Sequence, residues 1–182
     1  LGTTPTIPAA KPQGRIPTLK MPTAQGWAAG HKPVAAPGLE VNAFATGLKH
    51  PRWIHVLPNG DVTVAEALFM PGPAKTIFDH AMVSTLKRAA AIGESPNRVT
   101  LLRDADGDGS YEMSGIFADN LNAPYGLAFV NGLIYVANQD ELVKFAYADG
   151  QTEASGPPVK VTELPSAINH HWTKALTASA DG

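Results

Sequence analysis

Cysteine is absent from the 182 residues. That excludes a disulfide scaffold and a thiolate metal site, but it leaves the compartment open, because many periplasmic proteins also lack it. No apolar run approaches the ~18 residues of a membrane span. Charge is scarce as well, at 16% of residues against about a quarter in ordinary domains. The formal net charge of -2 gives no general basic face for nucleic acid. No charged n-region followed by an apolar h-region opens the sequence, so any secretory signal is expected to have been removed already.

What is abundant is glycine and proline. The 17 Gly and 16 Pro make up about 18% of the chain against the ~12% of average usage, which argues against long helices and for short strands joined by turns. Seven of the prolines (Pro5, Pro8, Pro12, Pro17, Pro22, Pro33 and Pro37) fall in the first 40 residues. Residues 1–39 hold Lys11, Arg15, Lys20 and Lys32 and no acid. Residues 1–40 therefore read as an extended arm or linker, with Trp27 a candidate anchor and disorder the alternative. Residues 41–182 read as the folded domain.

That domain repeats a phrase. Residues 41–45 alternate apolar and polar, and strand-like runs follow at 53–57 and 62–65 around Pro58-Asn59-Gly60-Asp61, a hairpin signal because Asn-Gly supplies the positive φ angles of tight turns. The phrase returns from Pro124 with Asn131-Gly132 as its turn, and again from His171 as far as Asp181-Gly182. Partner strands are expected at 97–103 and 141–147, and a helix at 81–91 inside an insertion over roughly 70–96. The shorter spacing is close to the ~40–45 residues of a four-stranded propeller blade. The expected fold is all-β: a partial six-bladed β-propeller, with about three blades present, a Pro-rich N-terminal arm and a small helical insertion. A β-sandwich with coincidental turns is the alternative.

Three sets of residues could carry chemistry. Asp104, Asp106 and Asp108 alternate in DADGDG and resemble the opening of a calcium loop, with Glu112 at its ninth position and Gly115 where the bidentate twelfth ligand should be; Asp and Gly also favour an ordinary polar turn. Glu66 and Asn138 occupy the same point of two repeats and could converge on a channel as substrate or cation ligands, or simply satisfy loop amides. Arg52, Trp53 and Tyr125 flank the same rim. In Asn169-His170-His171-Trp172, adjacent side chains of an extended segment point oppositely, so at most one histidine faces a given site, where it could act as a general base.

GLKHPRWIHVLPNGDVTVAEA, NRVTLLRDADGDG, LNAPYGLAFVNGLIYVANQDELVKFAY and INHHWTKALTASADG, in that order from Gly47 to Gly182, resemble the sorbosone dehydrogenase branch of the soluble quinoprotein sugar dehydrogenases. The resemblance implies a periplasmic or secreted six-bladed propeller that binds pyrroloquinoline quinone and Ca2+. It implies oxidation of a sugar or sugar-derived alcohol or aldehyde, with electrons passed to a dye, cytochrome or quinone acceptor. His171 falls at the family's catalytic base, His170 and Trp172 beside the cofactor, and Asn122 near a substrate amide, with Arg52, Glu66 and Asn138 as further substrate-binding candidates. The family's other cofactor and calcium ligands lie in later blades, so this chain reads as an N-terminal fragment whose remaining blades are its partners. A calcium-dependent lactonase and a non-enzymatic ligand-binding propeller are the alternatives.

Overall fold

The computed structural model describes residues 9, 23–69, 71–166 and 172–179. Short β-branched runs form two antiparallel four-stranded sheets. The first contains β1 (Pro51–Val56), β2 (Val62–Glu66), β3 (Arg98–Arg103) and β4 (Met113–Ala118), in that order. The second repeats the arrangement with β5 (Leu127–Val130), β6 (Leu133–Ala137), β7 (Glu141–Ala146) and β8 (Val159–Glu163). Each strand pairs with its successor, so both sheets are simple meanders.

The turn chemistry is legible. Asn131 and Gly132 adopt φ 50 and 78 and close the β5–β6 hairpin as a two-residue turn, the geometry that Asn-Gly favours. At the first hairpin only Gly60 is left-handed (φ 90), and the loop is longer, closed by Leu57 N–H to Asp61 O at 2.8 Å and Gly60 N–H to Leu57 O at 2.9 Å.

Other expectations are corrected. Residues 41–45 form no strand; residues 42–45 and Leu48 instead border a shallow cavity with Ile54, Val56, Val62, Val64 and Leu102 on the outer face of the first sheet. Trp27 is 71% exposed and anchors nothing among the described residues. Residues 172–179 run beside β5 without forming a strand; Gly126 N–H donates to Lys174 O at 3.0 Å. The single helix among the described residues, α1 (Ile77–Arg88), starts four residues before the expected 81. Thr76 and Asp79 close a reciprocal capping box there, a start signal that outweighs the alanine run further on.

The sheets share one core. Leu57, Ala65, Val99, Leu101 and Phe117 meet Leu127, Ile134, Val136, Val143, Phe145 and Tyr147, and Phe117 packs edge-on to Phe145 at 5.8 Å between centroids. The two sheets come closest along their first strands, β1 and β5.

A buried polar bolt also crosses between them. Asp61, 2% exposed, accepts from Arg103 Nε at 2.7 Å, Arg103 Nη2 at 2.6 Å and Tyr147 Oη at 2.7 Å, while Asn59 Nδ2 donates to Tyr147 Oη at 2.8 Å. The Arg103 guanidinium leads in holding the Asp61 carboxyl below its ordinary range; burial opposes it and the Tyr147 and Asn59 hydrogen bonds assist.

One close approach yields a prediction. A Cβ at Gly126 would lie 2.5 Å from Leu176 N and 2.6 Å from Lys174 O, both backbone atoms. Gly126→Ala is expected to push residues 174–176 off β5 and to lower stability by about 1–3 kcal/mol, as overpacking does. Urea melts and Trp172 emission measure this; an unchanged midpoint would show that the segment yields freely.

Candidate functional site

Strand direction sorts the sequence candidates before any distance is measured. β1 begins, β2 ends and β3 begins at one end of the first sheet, which places Arg52, Glu66 and Arg98 together there. In the second sheet, Tyr125 precedes β5 and Asn138 follows β6 at one shared end, with Tyr125 N–H donating to Ala137 O at 2.9 Å. Trp53 and Tyr125 bring these two ends into register, with ring centroids 5.6 Å apart.

An aromatic cluster occupies this rim. Trp172 meets Tyr125 edge-on at 6.1 Å and lies near-parallel to Phe69 at 6.4 Å. Arg52 Cζ stands 5.3 Å from the centre of the Trp172 ring, and Arg52 Nε donates to Ala67 O at 2.7 Å. An open cleft of about 670 Å³ lies alongside, lined by His50, Pro51, Arg52, Phe69, Trp172 and Thr173, with Leu86 and Ala89–Ala91 from the end of α1 forming its far wall. Its size is that of a small-molecule site.

Arg52 and Trp172 are thus brought together as sequence candidates, while Phe69 and His50 were not singled out. Phe69 sits just before the insertion, where no repeat position marks it. His50 carried a weak signal, as the residue before the first proline of the repeat; it holds a left-handed φ of 52. His170 and His171 lie outside the described residues.

Glu66 does not reach this cleft. Its carboxylate is fully buried and accepts from Arg98 Nε at 2.6 Å, Arg98 Nη2 at 3.3 Å, Thr100 Oγ1 at 2.8 Å and the Lys49 N–H. A carboxylate has about four acceptor sites, so none remains for a substrate or cation. Burial works to raise its pKa, but Arg98, the Lys49 amide and Thr100 together hold it below the ordinary value. Of the two readings the sequence offers for Glu66, this arrangement corresponds to the strand-end group that satisfies neighbouring donors.

Asn138, 3% exposed, does not share that pairing. Its backbone N–H closes the β6–β7 turn onto Glu141 O at 2.9 Å, and its Oδ1 is buried without a partner among the described residues. Asn122 is exposed; its backbone carbonyl accepts from Gln139 N–H at 2.9 Å.

The acidic loop follows β3 and so lies at the opposite end of the first sheet, beyond the Asp61–Arg103 bolt. Ligand oxygens of Asp104, Asp106, Asp108 and Glu112 gather within 4.8 Å of one another. The same side chains hold the loop itself: Asp104 accepts from Gly107 N–H at 2.7 Å and Gly109 N–H at 2.9 Å, and Glu112 from Ala105 N–H at 2.6 Å. Hard oxygen donors suit calcium in type. Their place, about a strand length (~20 Å) from the cleft, removes them from any chemistry there.

No helix among the described residues is long and apolar enough to cross a membrane. No curated protein matches the chain. A solved structure titled "Iodide structure of Trichoderma reesei Carbohydrate-Active Enzymes Family AA12" is similar at 21% identity and a TM-score of 0.47, over 71% of this chain and 27% of that one. A likeness at that level assigns neither a fold nor an activity. Residues 49–182, most of the chain, match the family described as "Domain of unknown function (DUF7133)", and the chain belongs to that family.

Proposed function

We propose that the chain is part of a β-propeller quinoprotein oxidoreductase acting on a sugar or sugar-derived alcohol or aldehyde. In this reading it uses pyrroloquinoline quinone and Ca2+ in the periplasm or outside the cell, and passes electrons to a dye, cytochrome or quinone acceptor. The observation that carries this reading is the cleft at which Arg52, Trp172 and Tyr125 meet beside the first strands of two like-ordered sheets. In a propeller the innermost strands converge on a central channel, and β1 and β5 are the strands that approach most closely here.

The outer face of the first sheet supports the blade reading. Ile54 and Val56 are 64% and 61% exposed, while their repeat counterparts Leu127 and Phe129 belong to or pack against the core between the sheets. A sheet patterned to be covered on both faces suits a stack of blades better than a closed two-sheet sandwich. Further blades, on the first sheet's outer face and beyond residue 179, are part of the proposal.

The cleft residues fit one edge of a planar, carboxylated ring: Arg52 would hold a carboxylate and the Trp172 cluster would form the adjoining wall. When bound, the quinone supplies a hydride-accepting carbonyl and its calcium a Lewis acid. The chain's own contribution is to hold substrate at the rim and, through His171, to take the proton from the substrate hydroxyl oxygen. A lactonase reading has less support, because it needs Glu66 as a metal ligand and that carboxylate is saturated by Arg98, Thr100 and the Lys49 amide.

The test is dye reduction by the native protein with aldoses and sorbosone, with and without added quinone and calcium. Quinone-dependent, substrate-dependent reduction that EDTA abolishes is expected. Lactone hydrolysis without quinone, or reduction indifferent to it, would overturn the reading.

The acidic loop makes a separate prediction. If it clamps a calcium ion, calcium at ten times its Kd should stabilise the fold by about 1.4 kcal/mol, and Asp106→Asn should remove that gain. A melting temperature unmoved by 10 mM calcium, about the weak end of such sites, would leave the loop a polar turn.

A further inference from the structure

We propose that Arg52 is a receptor for a single carboxylate on a small organic ligand in the cleft. The inference rests on the reading of this cleft given above and names the chemical class of its ligand; its test is binding, which succeeds or fails separately from turnover.

A half-buried guanidinium without an acidic partner is the starting observation. The ion pairs among the described residues use Arg98, Arg103 and Lys160 with Glu66, Asp61, Glu141 and Glu163; Arg52 takes part in none of them. Nor does an aspartate or glutamate among the described residues line the cleft.

The group is also held in place before a ligand arrives. Its Nε–H is fixed on Ala67 O at 2.7 Å, and its Cζ stands over the Trp172 ring at 5.3 Å from the centre, the ring itself braced by Phe69 and Tyr125. That uses one of five N–H donors. The remaining four sit on the two terminal nitrogens, whose spacing matches the two oxygens of a carboxylate. Indole contact and a carbonyl bond restrict the side chain, so little rotamer entropy remains to be lost on binding.

The lining of the site suits a carboxylate carried on a carbon skeleton. Arg52 brings one fixed positive charge. The opposite wall, Leu86 and Ala89–Ala91, is the C-terminal end of α1, where the Thr85, Leu86 and Lys87 carbonyls are capped by the Ala89, Ala91 and Ala90 N–H groups and the last turn carries Lys87 and Arg88. The apolar wall of Phe69, Leu86 and three alanines accepts a carbon skeleton, and His50 and Thr173 offer polar contacts at its edge. A sugar acid meets these conditions, and so does one carboxylated edge of the quinone cofactor.

Calorimetry on the native protein separates these sources. Sodium glucuronate is expected to bind about 10–100-fold more tightly than methyl glucoside, the difference a charge-assisted hydrogen-bonded pair supplies. The preference should shrink in 0.5 M NaCl and vanish in Arg52→Gln. Arg52→Lys, which keeps the charge but not the fork, should retain part of it; that variant and the salt series on the unaltered protein decide the matter if Arg52→Gln fails to fold. Arg52-dependent binding of pyrroloquinoline quinone, without glucuronate binding, would identify the carboxylate as the cofactor's. Equal affinity for glucuronate and glucoside with quinone binding indifferent to Arg52, or no binding of either carboxylate, overturns the proposal.

Discussion

Replacing His171 by alanine is expected to lower the rate of quinone-dependent sugar oxidation by roughly 10²–10⁴-fold, the usual contribution of a general base. A hydride leaves a carbinol carbon readily only when the hydroxyl proton is taken in the same step. The base must therefore be neutral, within ~3 Å of that oxygen and of suitable pKa, and histidine meets the last condition at ordinary pH. His171 is the residue that the family resemblance places in this role, and it immediately precedes Trp172, whose ring meets Arg52 and Tyr125 beside the cleft. His170→Ala should cost less, because one proton needs one base. Quinone occupancy, read by absorbance, should be nearly unchanged in His171→Ala. Retention of more than about a tenth of the rate would mean that the base is another group.

The largest effect on stability is expected at Asp61. Asp61→Ala removes the acceptor for both Arg103 nitrogens and for the Tyr147 hydroxyl, leaving a charge and a phenol in the inter-sheet space without their partner. Breaking a buried pair on one side typically costs about 3–5 kcal/mol, which in a chain of this length lowers the melting temperature by on the order of 10 °C. Tyr147→Phe, which deletes the hydroxyl's two hydrogen bonds, to Asp61 and from Asn59, and leaves the ion pair, should cost about 2 kcal/mol. Chemical denaturation of the three proteins measures both; an Asp61→Ala loss below that of Tyr147→Phe would mean that the ion pair does not bind the sheets together.

The same carboxylate sets the acid limit of the fold. Its pKa is depressed in the folded state, chiefly by Arg103, and that of Glu66 is also lowered, burial opposing but Arg98, the Lys49 amide and Thr100 prevailing. A depressed carboxyl binds fewer protons folded than unfolded, so its stabilisation is present above the unfolded value near pH 4 and is lost as pH falls through the folded value. Denaturation midpoints should be flat near neutrality and fall below about pH 4. Asp61→Asn should flatten part of that fall, and an identical acid profile in the variant would assign the transition elsewhere.

Local chemistry accounts for what could be read in advance. Asn131-Gly132 marks a two-residue turn because few other residues tolerate two successive positive φ angles. The alternation of Val62, Val64 and their neighbours marks strands because strand side chains alternate faces. Those signals placed both hairpins, the strands at 98–103 and 141–146, and the repeat that became two like-ordered sheets. The helix begins at Ile77 rather than at the expected 81, because the Thr76–Asp79 capping box sets its start.

What the tertiary structure alone decided involves partners far apart in the chain. Glu66 and Asn138 occupy the same repeat position, yet one is saturated by Arg98 and Thr100, 32 and 34 residues away, and the other keeps a buried, unpartnered oxygen. Asp61 reads as a turn residue beside Asn59-Gly60; only folding brings Arg103 and Tyr147 onto it, across 42 and 86 residues. Arg52 and Trp172 are 120 positions apart and meet because the first strands of the two sheets converge. The sequence by itself determined the two hairpins and the strands β3 and β7, since each depends on a few adjacent residues, whereas β4 and β8 were not marked. Which polar side chains are neutralised by a partner and which remain for a ligand was decided by packing, because Coulomb and hydrogen-bond energies depend on distance in space.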